Sequence, residues 1–399
     1  MPRLSDAAIV IAAGSLVLAL SFGVRSIFGV VLDPISAEYG WPREVFSLSI
    51  AIQNIVWGVA QPAFGWVADR FGDRRALWLG FAFYAGGMLL AAVAATPWLQ
   101  HLGTGVLVGM GVSGTGFGIV LSMVGRATAE KDRAKVMGTT AALGSLGQMT
   151  LPLLAGWLTA EFGWQVTLLV MAGLLLPMAA CIPLIDPKTP PEEGPPEPDI
   201  STRRLLAGAF GQASYLLLTL GFFVCGFHVG FLTAHLPPYV AETCGSVALG
   251  AATLSIIGAA NVAGTWFFGR MGSLYPKPHV LSAIYAARAV VILAFLATEP
   301  TPLTVILFSV TMGVFWLPTV PLTSALVASL FGPRYMGTLY GIVFLSHQVG
   351  SFLGVWMGGR VYDLTGGYDL MWWVAIGLGV LSALVHLPVR EARIRLTPA

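Results

Sequence analysis

Apolar runs long enough to cross a lipid bilayer recur from one end of this chain to the other, separated only by short polar stretches. A hydrocarbon core about 30 Å thick takes about 20 apolar residues per helix, and a backbone inside it has to satisfy its own hydrogen bonds. The runs fall near 8–33, 45–68, 76–95, 98–125, 134–160, 164–185, 208–239, 248–269, 279–298, 302–330, 335–360 and 370–389. They predict an all-α membrane protein of twelve transmembrane helices. Composition agrees: of 399 residues 56% are hydrophobic and 10% charged, against about 25% charged in a soluble domain. The first run is too long for a signal-peptide core and is followed by no small-residue cleavage site, so it is expected to be retained as a helix with a mature N-terminus.

The basic residues set the expected orientation, because Lys- and Arg-rich loops stay cytoplasmic. With both termini inside, seventeen of the 21 Lys and Arg residues face the cytoplasm and only Arg43 and Arg360 face outward, leaving Arg25 and Arg288 within the membrane. An odd number of helices would scramble this asymmetry. The expected location is the cell inner membrane, multi-pass. The net charge of +2, scattered over short loops, gives no nucleic-acid site. Cys181, Cys225 and Cys244 are spaced for neither a metal nor a disulfide and read as small apolar residues.

The chain also repeats itself. The segment DPKTPPEEGPPEPDISTRR, rich in Pro and Glu, reads as an extended cytoplasmic linker over 186–207. It separates two six-helix bundles, 1–185 and 208–399. Met137-Gly138-Thr139 recurs 199 positions later as Met336-Gly337-Thr338, and each copy continues through a glycine-rich helix carrying Gln148 or Gln348. Arg25 to Phe28 ahead of Asp33-Pro34 parallels His228 to Phe231 ahead of Leu236-Pro237. Parallel six-helix repeats are the sequence mark of alternating-access carriers.

Where the second run meets the cytoplasm stands Gly65-Trp66-Val67-Ala68-Asp69-Arg70-Phe71-Gly72-Asp73-Arg74-Arg75. Its glycines permit close helix approach, and Asp69 can accept hydrogen bonds at a helix terminus and exchange arginine partners. This loop resembles the signature of the major facilitator superfamily, and the resemblance extends through helix count, linker and repeats. It implies two pseudo-symmetric six-helix bundles and a cytoplasmic gate at Asp69, Arg70 and Arg74. Within that superfamily, SFGVRSIFGVVLDPISAEYGW and FGPRYMGTLYGIVFLSHQVGSFLGVWMGG resemble the bacterial monocarboxylate and oxalate/formate carriers. The fourth run, GVLVGMGVSGTGFG, lacks an arginine that many proton-coupled relatives hold there. Gly144, Gly147 and Pro152 only partly resemble the drug-antiporter signature.

A charge within a membrane costs about 2.5–3.5 kcal/mol by insertion scales, so each one is a functional candidate. Arg25 is the leading substrate-binding residue, since a guanidinium grips a carboxylate through two parallel hydrogen bonds. The resemblance implies a cation there, and another near His347. His228, pseudo-symmetric to Arg25, and His347 are candidates for substrate or proton handling, with Asp33 a third for protons. Arg288 either turns inward to complete an anion site or is structural. Gln53, Asn54, Gln61 and Gln148 are candidate donors to a carboxylate, and Trp57, Trp316 and Tyr340 candidate walls; for each, packing between helices is as good a reading. Asn261 and Thr265 stand where the resemblance implies an Asp and an Arg, and no carboxylate lies at mid-membrane depth.

Cations without acidic partners favour an anionic cargo. The expectation is a secondary transporter for a small organic anion, a monocarboxylate by preference, coupled to protons or to exchange, without cofactor or enzymatic activity and acting as a monomer in the lipid bilayer. An exporter of amphipathic drugs on the same fold is the first alternative. A membrane enzyme or receptor is the second, disfavoured because the loops are short and carry no catalytic, metal or phosphate-cradling pattern.

Overall fold

The computed structural model describes residues 6–41, 43–185 and 200–394, and among these it is helical with no strand. The side chain of Asp33 and residues 186–199 of the linker lie outside the described residues. The chain forms two compact units. The first takes residues 1–129, 143–194 and 334–341, and the second takes 130–142, 195–333 and 342–399.

The first unit begins with α1 (Asp6–Ser26), α2 (Phe28–Tyr39), α3 (Arg43–Phe71) and α4 (Asp73–Ala92). There follow α5 (Pro97–Gln100), a π-helical turn at His101–Leu107, α6 (Val108–Thr115) and α7 (Phe117–Arg126). Then come α8 (Glu130–Gly173), whose residues up to Ala142 group with the second unit, and α9 (Leu176–Cys181). The second unit holds α10 (Thr202–Phe210), α11 (Ala213–Cys244), α12 (Val247–Leu274), α13 (Lys277–Leu296), α14 (Pro302–Val314) and α15 (Thr319–Phe331). It ends with most of α16 (Met336–Thr365) and with α17 (Asp369–His386).

Ten stretches among the described residues are long and apolar enough to cross a bilayer. One of them, Glu130–Leu184, has 55 residues, more than twice what one crossing needs. It breaks at Gly163, whose φ of 83° a side chain would resist, so the expected runs 134–160 and 164–185 become two crossings. The run 45–68 lies in α3, whose 29 residues suffice for a crossing although Gln53, Asn54 and Gln61 make it less apolar. One expectation is corrected: the end of the stretch read as extended linker is helical from Thr202. There Leu205 and Ala209, one turn apart, bury an apolar stripe that the Pro-rich residues before them lack.

Several expected continuous runs are interrupted. The first run divides at Ile27 into α1 and α2, where the Ser26 hydroxyl donates to the Gly23 carbonyl and competes with the backbone ladder. The fourth divides at Gly116, between α6 and α7, and the tenth between Val314 and Thr319, ahead of which Pro318 has no N–H to give. Between the interruptions the helices pack through small residues. A Cβ on Gly147 would collide with the Ala19 carbonyl of α1, and one on Gly226 with the His347 carbonyl of α16. Without a hydrophobic driving force between helices in lipid, such close backbone approach is a main source of cohesion.

Candidate functional site

Arg25 lies in the last turn of α1, immediately before the Ile27 break, where the unpaired carbonyls of a helix end favour a cation. Its Nη2 donates to Asn54 Oδ1 at 2.5 Å, and its Cζ sits 5.0 Å from the Trp57 ring centroid. Asn54 is itself oriented by donating to the Ile50 carbonyl at 3.2 Å. Arg25 is half-buried as a residue, and its Nε is buried with no hydrogen-bond partner. Ion pairs join Arg126 to Asp69 and Asp73, and Lys277 to Glu391; none of these carboxylates reaches Arg25.

Behind this cation runs a chain of polar contacts. Trp57 Nε1 donates to Gln61 Oε1 at 3.1 Å, and Gln61 Nε2 donates at 3.1 Å to the Ser113 carbonyl, which the break at Gly116 releases from the helical ladder. The Ser113 hydroxyl is 3.1 Å from the Trp57 carbonyl in return. Gln61 is therefore fully committed to α6, and Gln53, which donates to the Thr104 carbonyl at 2.9 Å, is committed to the π-helical turn. Both of these candidates for substrate binding are structural pins here, since a π-turn or a broken helix leaves carbonyls that must be satisfied in lipid. Gln148 is partly exposed on α8, in the same unit as Arg25.

The second unit places its candidates differently. Arg288 on α13 is fully buried; its Nε donates to the Phe315 carbonyl at 2.9 Å and its Nη2 to the Trp316 carbonyl, the two carbonyls exposed by the break between α14 and α15. Asn261 Oδ1 accepts from Leu317 N at 2.9 Å in the same break, and Thr265 donates to Asn261. Arg288 thus spends Nε and Nη2 on backbone carbonyls, and its Nη1 is buried with no hydrogen-bond partner. His228 is fully buried and its Nε2 meets the Ala375 carbonyl of α17 at 2.8 Å, so its ring points between α13 and α17 rather than into surroundings like those of Arg25. His347 stacks on Phe344 at 5.3 Å with its Nδ1 3.1 Å from Gln348 Oε1. Tyr340 is fully buried and belongs to the segment of α16 that joins the first unit.

The residues read from the sequence as a gate, Asp69, Arg70 and Arg74, all belong to the first unit. Asp69 accepts from Gly337 N at 3.0 Å, from Thr338 N at 2.6 Å and from the Thr338 hydroxyl at 2.7 Å, at the start of α16. Its arginine is Arg126, at 2.9 Å, which also grips Asp73. Arg70 is exposed, and Arg74 donates to the Pro183 and Ile185 carbonyls, both at 2.8 Å. Sequence reasoning assigned Arg126 only to the inner basic loops. The available signal was two carboxylates, Asp69 and Asp73, on either side of the Gly72 turn in an otherwise basic segment.

The Major Facilitator Superfamily profile matches residues 14–355 and 218–398, and the chain belongs to that family of multi-pass membrane transporters. The uncharacterised MFS-type transporter YcxA of Bacillus subtilis is 27% identical over 376 residues, covering 91% of this chain and 90% of that protein. Monocarboxylate transporter 13 of Bos taurus is 27% identical over 383 residues, covering 92% and 87%. The crystal structure of the human organic anion transporter MFSD10 superposes with a TM-score of 0.73 at 18% identity, over 96% of this chain and all of that one. The family fold comprises twelve transmembrane helices in two halves, as the broken Glu130–Leu184 stretch and α3 require.

Proposed function

We propose that this chain is a secondary active transporter that moves a small monocarboxylate across the cell inner membrane by alternating access, through proton symport or anion exchange. Both termini and the Asp69 gate lie on the cytoplasmic side in this reading. The observation that carries it is Arg25: a half-buried arginine whose guanidinium meets Asn54 and Trp57, with no carboxylate beside it among the described residues. A cation kept within the membrane is costly, and an anionic substrate offsets that cost each time it binds.

Arg25 also argues for one carboxylate rather than two. Arg288, the other intramembrane arginine, is sealed and holds backbone carbonyls, which leaves a dianion's second charge without a comparable guanidinium. The sequence kinship to a protein named as a monocarboxylate transporter supports the same class. In the carrier's cycle the carboxylate docks edge-on to Arg25 and Asn54, and Asp69 with Arg126, Gly337 and Thr338 latches one conformation. His347 and Asp33 are the proposed proton-handling groups.

The test is counterflow of labelled lactate, pyruvate, benzoate and oxalate in proteoliposomes, with Arg25→Ala beside the native protein. Saturable uptake of the monocarboxylates, weaker for oxalate and lost in the variant, supports the proposal. Absence of flux for every carboxylate contradicts it and moves the assignment to an exporter of amphipathic compounds.

A further inference from the structure

Trp57 supports the Arg25 guanidinium and is one of three consecutive aromatic rings. Phe22, three residues before Arg25 and so on the same face of α1, lies edge-on to Trp57 at 5.6 Å between centroids. Phe117 follows at 4.4 Å from Phe22. It is the first residue of α7, directly after the extended backbone of Gly116, so the break in the fourth run sets its position. The rings keep only 6%, 4% and 6% of their surface exposed, and Trp57 is further fixed by its hydrogen bond to Gln61. The rings are held in place before any ligand arrives, so contact with the small part of them left open costs no ordering.

A guanidinium and a carboxylate paired through two hydrogen bonds share one plane. With the guanidinium carbon over the Trp57 ring and one Nη2 hydrogen given to Asn54, the remaining Nη hydrogens are the part left for a carboxylate. A substrate whose body is conjugated with its carboxylate extends that plane beside the aromatic wall and makes offset-stacked or edge contacts with it. A puckered ring of equal size, or a short hydroxylated chain, makes only part of that contact and strands polar groups against rings that cannot hydrogen-bond.

Resting on the anion-carrier reading above, we propose that Trp57 is a specificity-determining residue and that the carrier's preferred substrates are flat, aromatic or conjugated monocarboxylates. Gln61 acts one step behind as a positioning residue, tying the indole to the α6 backbone at the Gly116 break.

The experiment is competition for uptake in proteoliposomes among benzoate, cyclohexanecarboxylate and lactate, for native protein, Trp57→Leu and Trp57→Phe. The native protein is expected to prefer benzoate over cyclohexanecarboxylate by about five-fold in kcat/KM, within the range of a single aromatic pair. Trp57→Phe retains that preference because it retains a ring, and Trp57→Leu lowers it to about one while still carrying both acids. Equal handling of the two ring acids by the native protein overturns the inference, as does an undiminished preference in Trp57→Leu. If Trp57→Leu does not fold, the native ratio together with Trp57→Phe decides the matter. Uptake of none of the three acids by native protein removes the anion-carrier reading itself, an outcome distinct from carboxylate uptake without aromatic preference.

Discussion

Two arginines enter the membrane-spanning part of this chain and meet opposite fates. Arg25 stays partly exposed beside an amide and an indole, whereas Arg288 is enclosed with backbone carbonyls. Their depth was legible in the sequence; their partners were not, because helix breaks at Ile27 and between α14 and α15 decide which carbonyls need a donor. At the gate, Asp69 receives three donors from Gly337 and Thr338 and an ion pair from Arg126. Replacing it with Asn removes the ion pair and leaves part of that donor set unmet, at a cost of about 1–3 kcal/mol. We expect Asp69→Asn to lower the maximal transport rate at least ten-fold with little change in KM, and Arg126→Gln to reproduce the defect. Normal rates in both variants would show that the cluster is not a latch.

At the scale of elements, the interrupted helices are what sequence periodicity could not resolve. The fourth and tenth runs are each long enough to be one helix, yet each is broken and then tied from a neighbouring helix, by Gln61 to Ser113 and by Arg288 and Asn261 to residues 315–317. Gln61 and Asn261 are both amides on the helix that faces such a break, a likeness of task that residue type alone does not announce. Arg288→Leu leaves the Phe315 and Trp316 carbonyls without their donor beside a fully buried side chain, each costing about 1–3 kcal/mol. The expected result is a lower midpoint of thermal unfolding in detergent, with KM for the carried anion unchanged in protein that survives. Unchanged stability with a raised KM would return Arg288 to the substrate site. His228 tells the same lesson: its place in the repeat matched Arg25, but rotation about α11 turned its ring toward α13 and α17.

For the whole molecule, helix number and family were the most legible features, because spans of about 20 apolar residues and a 199-residue repeat leave few architectures open. The limits of the compact units were less legible. Residues 130–142 and 334–341, which open the two copies of the Met-Gly-Thr repeat, each group with helices from the opposite half of the chain. The charge asymmetry predicts that both termini are cytoplasmic. Single cysteines introduced near residue 3 and near residue 397 of a protein lacking Cys181, Cys225 and Cys244 should resist a membrane-impermeant maleimide in whole cells and react after permeabilisation. Labelling of either end in intact cells would reverse the assigned topology.

The central claim is that one carboxylate is held by Arg25. Calorimetric titration of purified protein with benzoate, native and Arg25→Gln, addresses it without requiring flux. Loss of the paired charge-assisted hydrogen bonds is worth about 2–4 kcal/mol, so the account predicts one site per chain in the native protein and binding about 100-fold weaker in a variant that melts at the same temperature. Equal affinity in the two proteins would contradict it.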